Sequence, residues 1–116
     1  MPILRQAGYL IESVQDALTD ADLRELQQQL AERVGEPGVQ GAVIDLTVLD
    51  VVDSFATRTL STIAQTVKLR GADVVVVGIQ PEVAFSMVQL GLTLDGVRTA
   101  LDLDEGLALL ARAEGR

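Results

Sequence analysis

Asp50, Asp53 and Ser54 lie close together just ahead of a helical stripe, and their types allow two kinds of chemistry. A serine hydroxyl on the first turn of a helix is open to a kinase. A phosphate there adds about −1.5 to −2 charges and three acceptor oxygens. The free backbone N–H groups and the positive end of the helix dipole tolerate that charge, whereas Asp50 and Asp53 oppose it. Phosphorylation is therefore expected to change the surface a partner meets without unfolding the helix. The plainer use of the same residues is structural, with Asp53 as N-cap and Ser54 as a small polar residue of the first turn. Together with Asp45, the two aspartates also raise a Mg²⁺ site of the kind found in phosphoryl-transfer receiver domains. Such a site needs several oxygens converging at strand ends. Asp45 sits inside an apolar run, and the Asp50–Asp53 spacing suits a turn of loop, so no metal is expected.

A second stretch, Gly78-Ile79-Gln80-Pro81-Glu82-Val83-Ala84-Phe85-Ser86, places a glycine before a helix start. A phosphate can rest on such a terminus. The stretch lacks GxGxxG and the P-loop pattern, so turn plus helix start is its expected use. Phe85 and Ser86 fall off the apolar stripe. Phe85 is a candidate interface residue and Ser86 a second candidate for modification.

The elements that must hold these residues can be read from the period of the apolar positions. Ala42-Val43-Ile44-Asp45-Leu46 is a nearly continuous apolar run, as expected of a strand covered on both faces. Leu60, Ile63, Ala64 and Val67 then mark a helix that closes at Gly71. Ala72-Asp73-Val74-Val75-Val76-Val77-Gly78 reads as a second buried strand, which a helical crossover makes parallel to the first. Upstream, Pro2–Gln6 and Tyr9–Val14 flank Ala7-Gly8 and read as a hairpin. Thr19 and Asp22 form a capping-box variant, Leu18 is placed to staple against Leu23, and Leu23, Leu26, Leu30 and Val34 make the buried stripe of the helix they start. Downstream, Pro81 opens a short helix expected to bury Val83, Met87 and Val88 and to end at Gly91. Val97–Leu101 reads as an edge strand. Asp102 and Glu105 cap a last helix with Leu103, Leu107 and Leu110 inward, and the chain from Ala113 to Arg116 is expected to fray. The expected architecture is α/β: a mixed sheet of four to five strands with about four flanking helices, in a single domain over residues 1–116.

Composition removes several functions. The chain has neither Cys nor His, so thiol nucleophiles, most nucleophile–base pairs and most zinc or iron sites have no residues to build them. A self-contained enzyme and a resident cofactor are not expected. A net charge of −8 repels phosphate backbones and anionic lipid, which argues against nucleic-acid and membrane partners. No signal pattern or membrane-length apolar run is found, so the expected location is cytoplasmic.

Several blocks together carry a resemblance: Val43-Ile44-Asp45-Leu46-Thr47, Val52-Asp53-Ser54-Phe55, Lys68-Leu69-Arg70-Gly71-Ala72, Val77 to Ala84, Leu90-Gly91 and Ala100-Leu101-Asp102-Leu103. The chain resembles the stressosome antagonists of the STAS-domain family, the RsbS type, over nearly its whole length. Simpler anti-anti-sigma factors of that family show a D-S-S-G-L-G-like run at this loop. Here Phe55-Ala56-Thr57 replaces the second serine and the glycine. The resemblance implies a STAS fold, no catalysis by this chain, and a scaffold formed with RsbR-type co-antagonists as a homodimer within a large hetero-oligomer. It implies that Ser54 is the phosphoacceptor, with Asp50, Asp53, Ser54, Phe55 and Phe85 meeting partners. An RsbT-type serine kinase would be held by the assembly and released on phosphorylation, and an RsbX-type phosphatase would reset the switch. Ser86 matches the position of a second phosphorylated threonine in the co-antagonists. The alternative is a stand-alone anti-anti-sigma factor, binding one anti-sigma kinase and controlled through the same serine.

Overall fold

The computed structural model describes residues 3–16 and 18–114. Five strands and four helices alternate along them: β1 (Leu4–Gln6), β2 (Tyr9–Ser13), α1 (Asp20–Arg33), β3 (Gly41–Asp45), α2 (Ser54–Leu69), β4 (Asp73–Val77), α3 (Pro81–Gln89), β5 (Arg98–Ala100) and α4 (Leu103–Glu114). The strands lie in sequence order in one sheet. β1 runs antiparallel to β2, and β2 to β5 are mutually parallel. The hairpin, the parallel β3–β4 pair and the edge position of β5 all follow the sequence reading. Pro2, at the head of the first apolar run, lies outside the described residues. Of the segment expected to fray, Ala113 and Glu114 belong to α4, and residues 115 and 116 lie outside the described part.

Alternation along the buried strands divides the core into two layers. Leu10, Ala42, Ile44, Val74 and Val76 face α1, α2 and α3, where Leu23, Leu26, Leu30, Leu60, Ile63 and Val67 complete the larger cluster. Ile11, Val43, Val75 and Val77 face the other way and are covered by α4 through Leu110, with Leu103 and Leu107 partly buried beside it. Each fully buried Leu, Ile or Val contributes about 1.5–3 kcal/mol, so the sheet and its three-helix layer fix the frame on which the loops sit. α1 starts where the sequence places it. Thr19 Oγ1 accepts the Asp22 N–H at 3.1 Å and Asp22 Oδ2 accepts the Thr19 N–H at 3.0 Å. Those bonds hold the Asp22 carboxyl below its usual range. Leu18 packs against the same cluster.

One expected core residue is not in the core. Val88 is 78% exposed, while Val83 and Met87 are buried. α3 has nine residues and lies toward the β5 edge, so the i, i+4 pair Val83 and Met87 uses up its inner face. Val88, one position on, is rotated about 100° away from Met87.

Glu12, on β2, is 1% exposed, and its Oε2 has no hydrogen-bond partner among the described residues. Burial, with the Glu25 carboxylate adding to it, raises the Glu12 pKa above 4.5. A carboxyl raised on folding contributes stability that is present below its unfolded pKa and lost as pH rises through the folded value. Glu12→Gln is therefore expected to raise the urea midpoint at pH 7 relative to the native chain and to lose that advantage toward pH 4. Titrating both proteins with urea across that range checks it, and a gap that widens toward acid pH refutes it. Among the described residues, no helix is long and apolar enough to cross a membrane.

Candidate phosphoacceptor site and groove

The segment between β3 and α2 is shaped by two apolar anchors. Leu49 and Val52 are buried, which forces Asp50 and Val51, between them, out to the surface. Upstream, Asp45 Oδ1 accepts from the Thr47 N–H at 2.9 Å and from Thr47 Oγ1 at 2.5 Å, and the Leu46 N–H donates to the Val77 carbonyl at 2.9 Å. Asp45 is thus turned into its own loop. At the far end Asp53 takes an extended conformation and its Oδ1 accepts the Ala56 N–H at 2.8 Å. The buried Thr57 donates both its N–H and its hydroxyl to the Asp53 carbonyl, at 2.9 and 2.8 Å. Asp53 is the N-cap of α2, and Ser54 is its first residue, exposed. Asp45 and Asp53 are each engaged in local backbone bonding, and the three aspartates do not converge on one point.

α3 forms the opposite wall. Its N-cap Gln80 donates through Nε2 to the Thr47 carbonyl at 2.8 Å, tying the start of α3 to the β3–α2 loop. Gly78, at φ +78°, makes the turn into it. Between loop and helix runs a groove of about 560 Å³, with Asp50, Asp53 and Ser54 on one wall and Val83, Ser86 and Leu90 on the other. Of the residues singled out in the sequence, Asp50, Asp53, Ser54 and Ser86 are brought together here. Phe55 is not in the groove. It is half-buried against the larger core cluster with Arg24 of α1 over its ring, 5.7 Å from the centroid, within cation–π range. Phe85 is 71% exposed on α3 and does not line the groove. The sequence points to Val83 only as a core residue and to Leu90 only at the end of its helix, and to neither as part of a groove. Val83, Ser86 and Leu90 fall at i, i+3 and i+7, a spacing that puts them on one side of a helix.

The groove has carboxylates on one wall, two serine hydroxyls facing it, and an apolar floor. Its charged lining residues are both aspartates, with no lysine or arginine among them. It can present a hydroxyl to another protein's active site and can seat a surface that carries cations.

A family model described as the STAS domain matches residues 2–106. The fold superimposes on a Ser→Glu variant of RsbS from Moorella thermoacetica with a TM-score of 0.82 and 33% identity, over 99% of this chain and 97% of that one. A chain from a solved structure of the stressosome, described as a signal integration and transduction hub, gives a TM-score of 0.79 and 35% identity, over 99% of this chain and 100% of that one. The RsbT co-antagonist protein RsbRA of Bacillus subtilis (strain 168) is 31% identical over 84 residues, 72% of this chain. This chain spans about a third of the length of that curated relative, 31%.

Proposed function

The chain belongs to the STAS-domain family, and from that premise we propose that it is a non-catalytic stressosome antagonist, holding an RsbT-type serine kinase until Ser54 is phosphorylated. The observation that carries this reading is the exposed Ser54 hydroxyl at the first position of α2, on the wall of a groove that α3 closes. The likeness to RsbS and to a stressosome chain over nearly all of both lengths supports the antagonist role. The likeness to a co-antagonist supports assembly with RsbR-type subunits into a large hetero-oligomer.

In this reading the kinase docks over the groove with a face that carries cations, since complementary potentials speed encounter with a chain of net charge −8. Asp50, Asp53 and Ser54 are assigned to partner contact at the groove, and Phe55 and Phe85, which do not line it, to partner contact outside it. Ser54 Oγ attacks the γ-phosphorus of the kinase-bound ATP, the bond to ADP breaks, and the serine proton passes to a base of the kinase. A further charge of about −1.5 to −2 changes the long-range field of a chain at −8 little. The effect is local: a dianion beside Asp53, desolvated at an interface and unpaired with the partner, costs several kcal/mol of binding. An RsbX-type phosphatase removes the phosphate and restores binding.

The test mixes the purified chain with the RsbT-type kinase and the RsbR-type subunit of the same genome, follows size by sedimentation, and maps phosphate by tandem mass spectrometry after Mg-ATP is added. The kinase is expected to travel with a particle far larger than a dimer, then to leave it as Ser54 gains phosphate. A one-to-one complex with the kinase and no large particle would instead make the chain a stand-alone anti-anti-sigma factor. An intact particle with Ser54 unmodified would end the switch mechanism.

A further inference from the structure

Ser54 lines two depressions at once. On one side is the groove toward α3, whose charged residues are Asp50 and Asp53. On the other is a separate depression of about 360 Å³ along α2, lined by Ser54, Thr57, Arg58 and Ser61, with Asp95 on its far side. The two sides differ in sign. The groove offers only carboxylates, and the depression offers a guanidinium. Arg58 is exposed, and its side chain has no hydrogen bond or ion pair among the described residues. It follows Ser54 by four positions, the spacing at which helix neighbours stand about 5–6 Å apart at Cβ. Helical side chains lean toward the N-terminus, which carries the Arg58 guanidinium over the turn that holds Ser54. One turn further along, Ser61 Oγ is buried without a partner among the described residues and lines the same depression.

Resting on the reading of Ser54 as phosphoacceptor, we infer that Arg58 is the internal receptor for the phosphate. Once the kinase has left, the modified serine turns away from Asp50 and Asp53 and lies back along α2 in an ion pair with the guanidinium. A phosphate and a guanidinium make charge-assisted hydrogen bonds, two at once where the fork is free. Asp95 opposes the arrangement with one carboxylate, against two on the groove side. Phosphorylation then does two things together: it adds charge, and it takes out of circulation a cation that the unmodified chain shows to its surroundings. Arg24 is the other cation near this end of α2, but it is held over the Phe55 ring and does not line the depression.

The test needs no kinase. Phosphoserine is placed at position 54 during translation, and its second ionisation, about 6 in an unrestrained residue, is followed by ³¹P NMR. Pairing with a cation favours the dianion, so Arg58→Gln is expected to raise the midpoint by about 0.3 of a pH unit relative to the native residue, the size of an exposed i, i+4 ion pair. Arg58→Lys should restore most of the difference, and Arg24→Gln should leave the midpoint unchanged. In roughly 8 M urea, well past the unfolding of small domains, the gap between the native and Arg58→Gln chains should close, because the pair depends on the helix. An unchanged midpoint in Arg58→Gln overturns the assignment, and a shift produced by Arg24→Gln transfers it to α1. Since the phosphate is installed during translation, failure of a kinase to modify Ser54 and failure of Arg58 to hold the phosphate are read separately.

Discussion

On the proposed function, a Ser54→Ala chain is expected to fold and to bind the kinase, but to take up no phosphate at the groove and to keep the kinase bound when Mg-ATP is present. The fold should not change, because Ser54 is exposed and its hydroxyl makes no hydrogen bond among the described residues. Asp53 supplies the cap through its own carboxylate, and alanine is the better helix former, so unfolding free energy should stay within about 0.5 kcal/mol. What changes is release. Ser54→Asp carries one charge where phosphate carries nearly two and reaches less far, so it should weaken kinase binding only in part, by about tenfold for each 1.4 kcal/mol of clash it reproduces. Kinase affinity by surface plasmon resonance, with and without Mg-ATP, gives both answers. Normal ATP-dependent release from Ser54→Ala would show that another residue carries the signal, and Ser86 across the groove would be the first to examine. Full-strength binding by Ser54→Asp would remove the local clash from the mechanism.

The largest effect on stability is expected at Gly78. Two glycines flank α3 with positive φ, Gly78 at +78° and Gly91 at +70°, and each would be strained by a side chain. Only Gly78 is also crowded. A Cβ there would run into the Thr47 hydroxyl and come within 3.0 Å of Asp45 Oδ1, whereas one at Gly91 would meet nothing within 4 Å. Gly91→Ala should therefore cost only the left-handed backbone, about 1–2 kcal/mol. Gly78→Ala should add overpacking to that, for a total of about 2–5 kcal/mol. The crowded atoms belong to the Asp45–Thr47 hydrogen bonds that shape the loop ahead of Ser54, so kinase affinity should fall with stability at Gly78 and not at Gly91. Combining Gly78→Ala with Thr47→Ala relieves part of the clash, and the pair should cost less than the sum of the single changes. Equal urea midpoints for the two glycine variants would refute the argument from crowding.

Legibility in the sequence followed the range of the interaction. The Thr19–Asp22 box, the Asp53 cap and the Asp102 cap, whose Oδ1 accepts the Glu105 N–H at 2.9 Å, are made within three residues and were readable as motifs. The stripes of α1 and α2 were readable because each helix presents a full face to the sheet. Val88 escapes a reading by apolar pattern, because apolar character shows which residues can be buried, and only the position of α3 at the sheet edge shows how many will be. The exposure of Ser86 follows from its place off the apolar stripe, but its place opposite Ser54 depends on the start of α3 being tied to Thr47 across 33 residues by Gln80. The seat of Phe55 depends in the same way on α1 lying beside α2, since Arg24 comes from the neighbouring helix. Glu12 stands near the end of its strand, where a polar residue would ordinarily reach water. Parallel pairing with Ile44 places it beneath the helical layer.

The rims of the sheet have a consequence for how this chain can multiply. β1 and β5 are both three residues long, and each carries an exposed arginine, Arg5 and Arg98. Short, charged rims offer an incoming strand few main-chain bonds. Growth by strand addition, which has no natural end and leads to fibrils, is thereby discouraged, and association is directed to helix and loop surfaces, where geometry can close a shell at a fixed size.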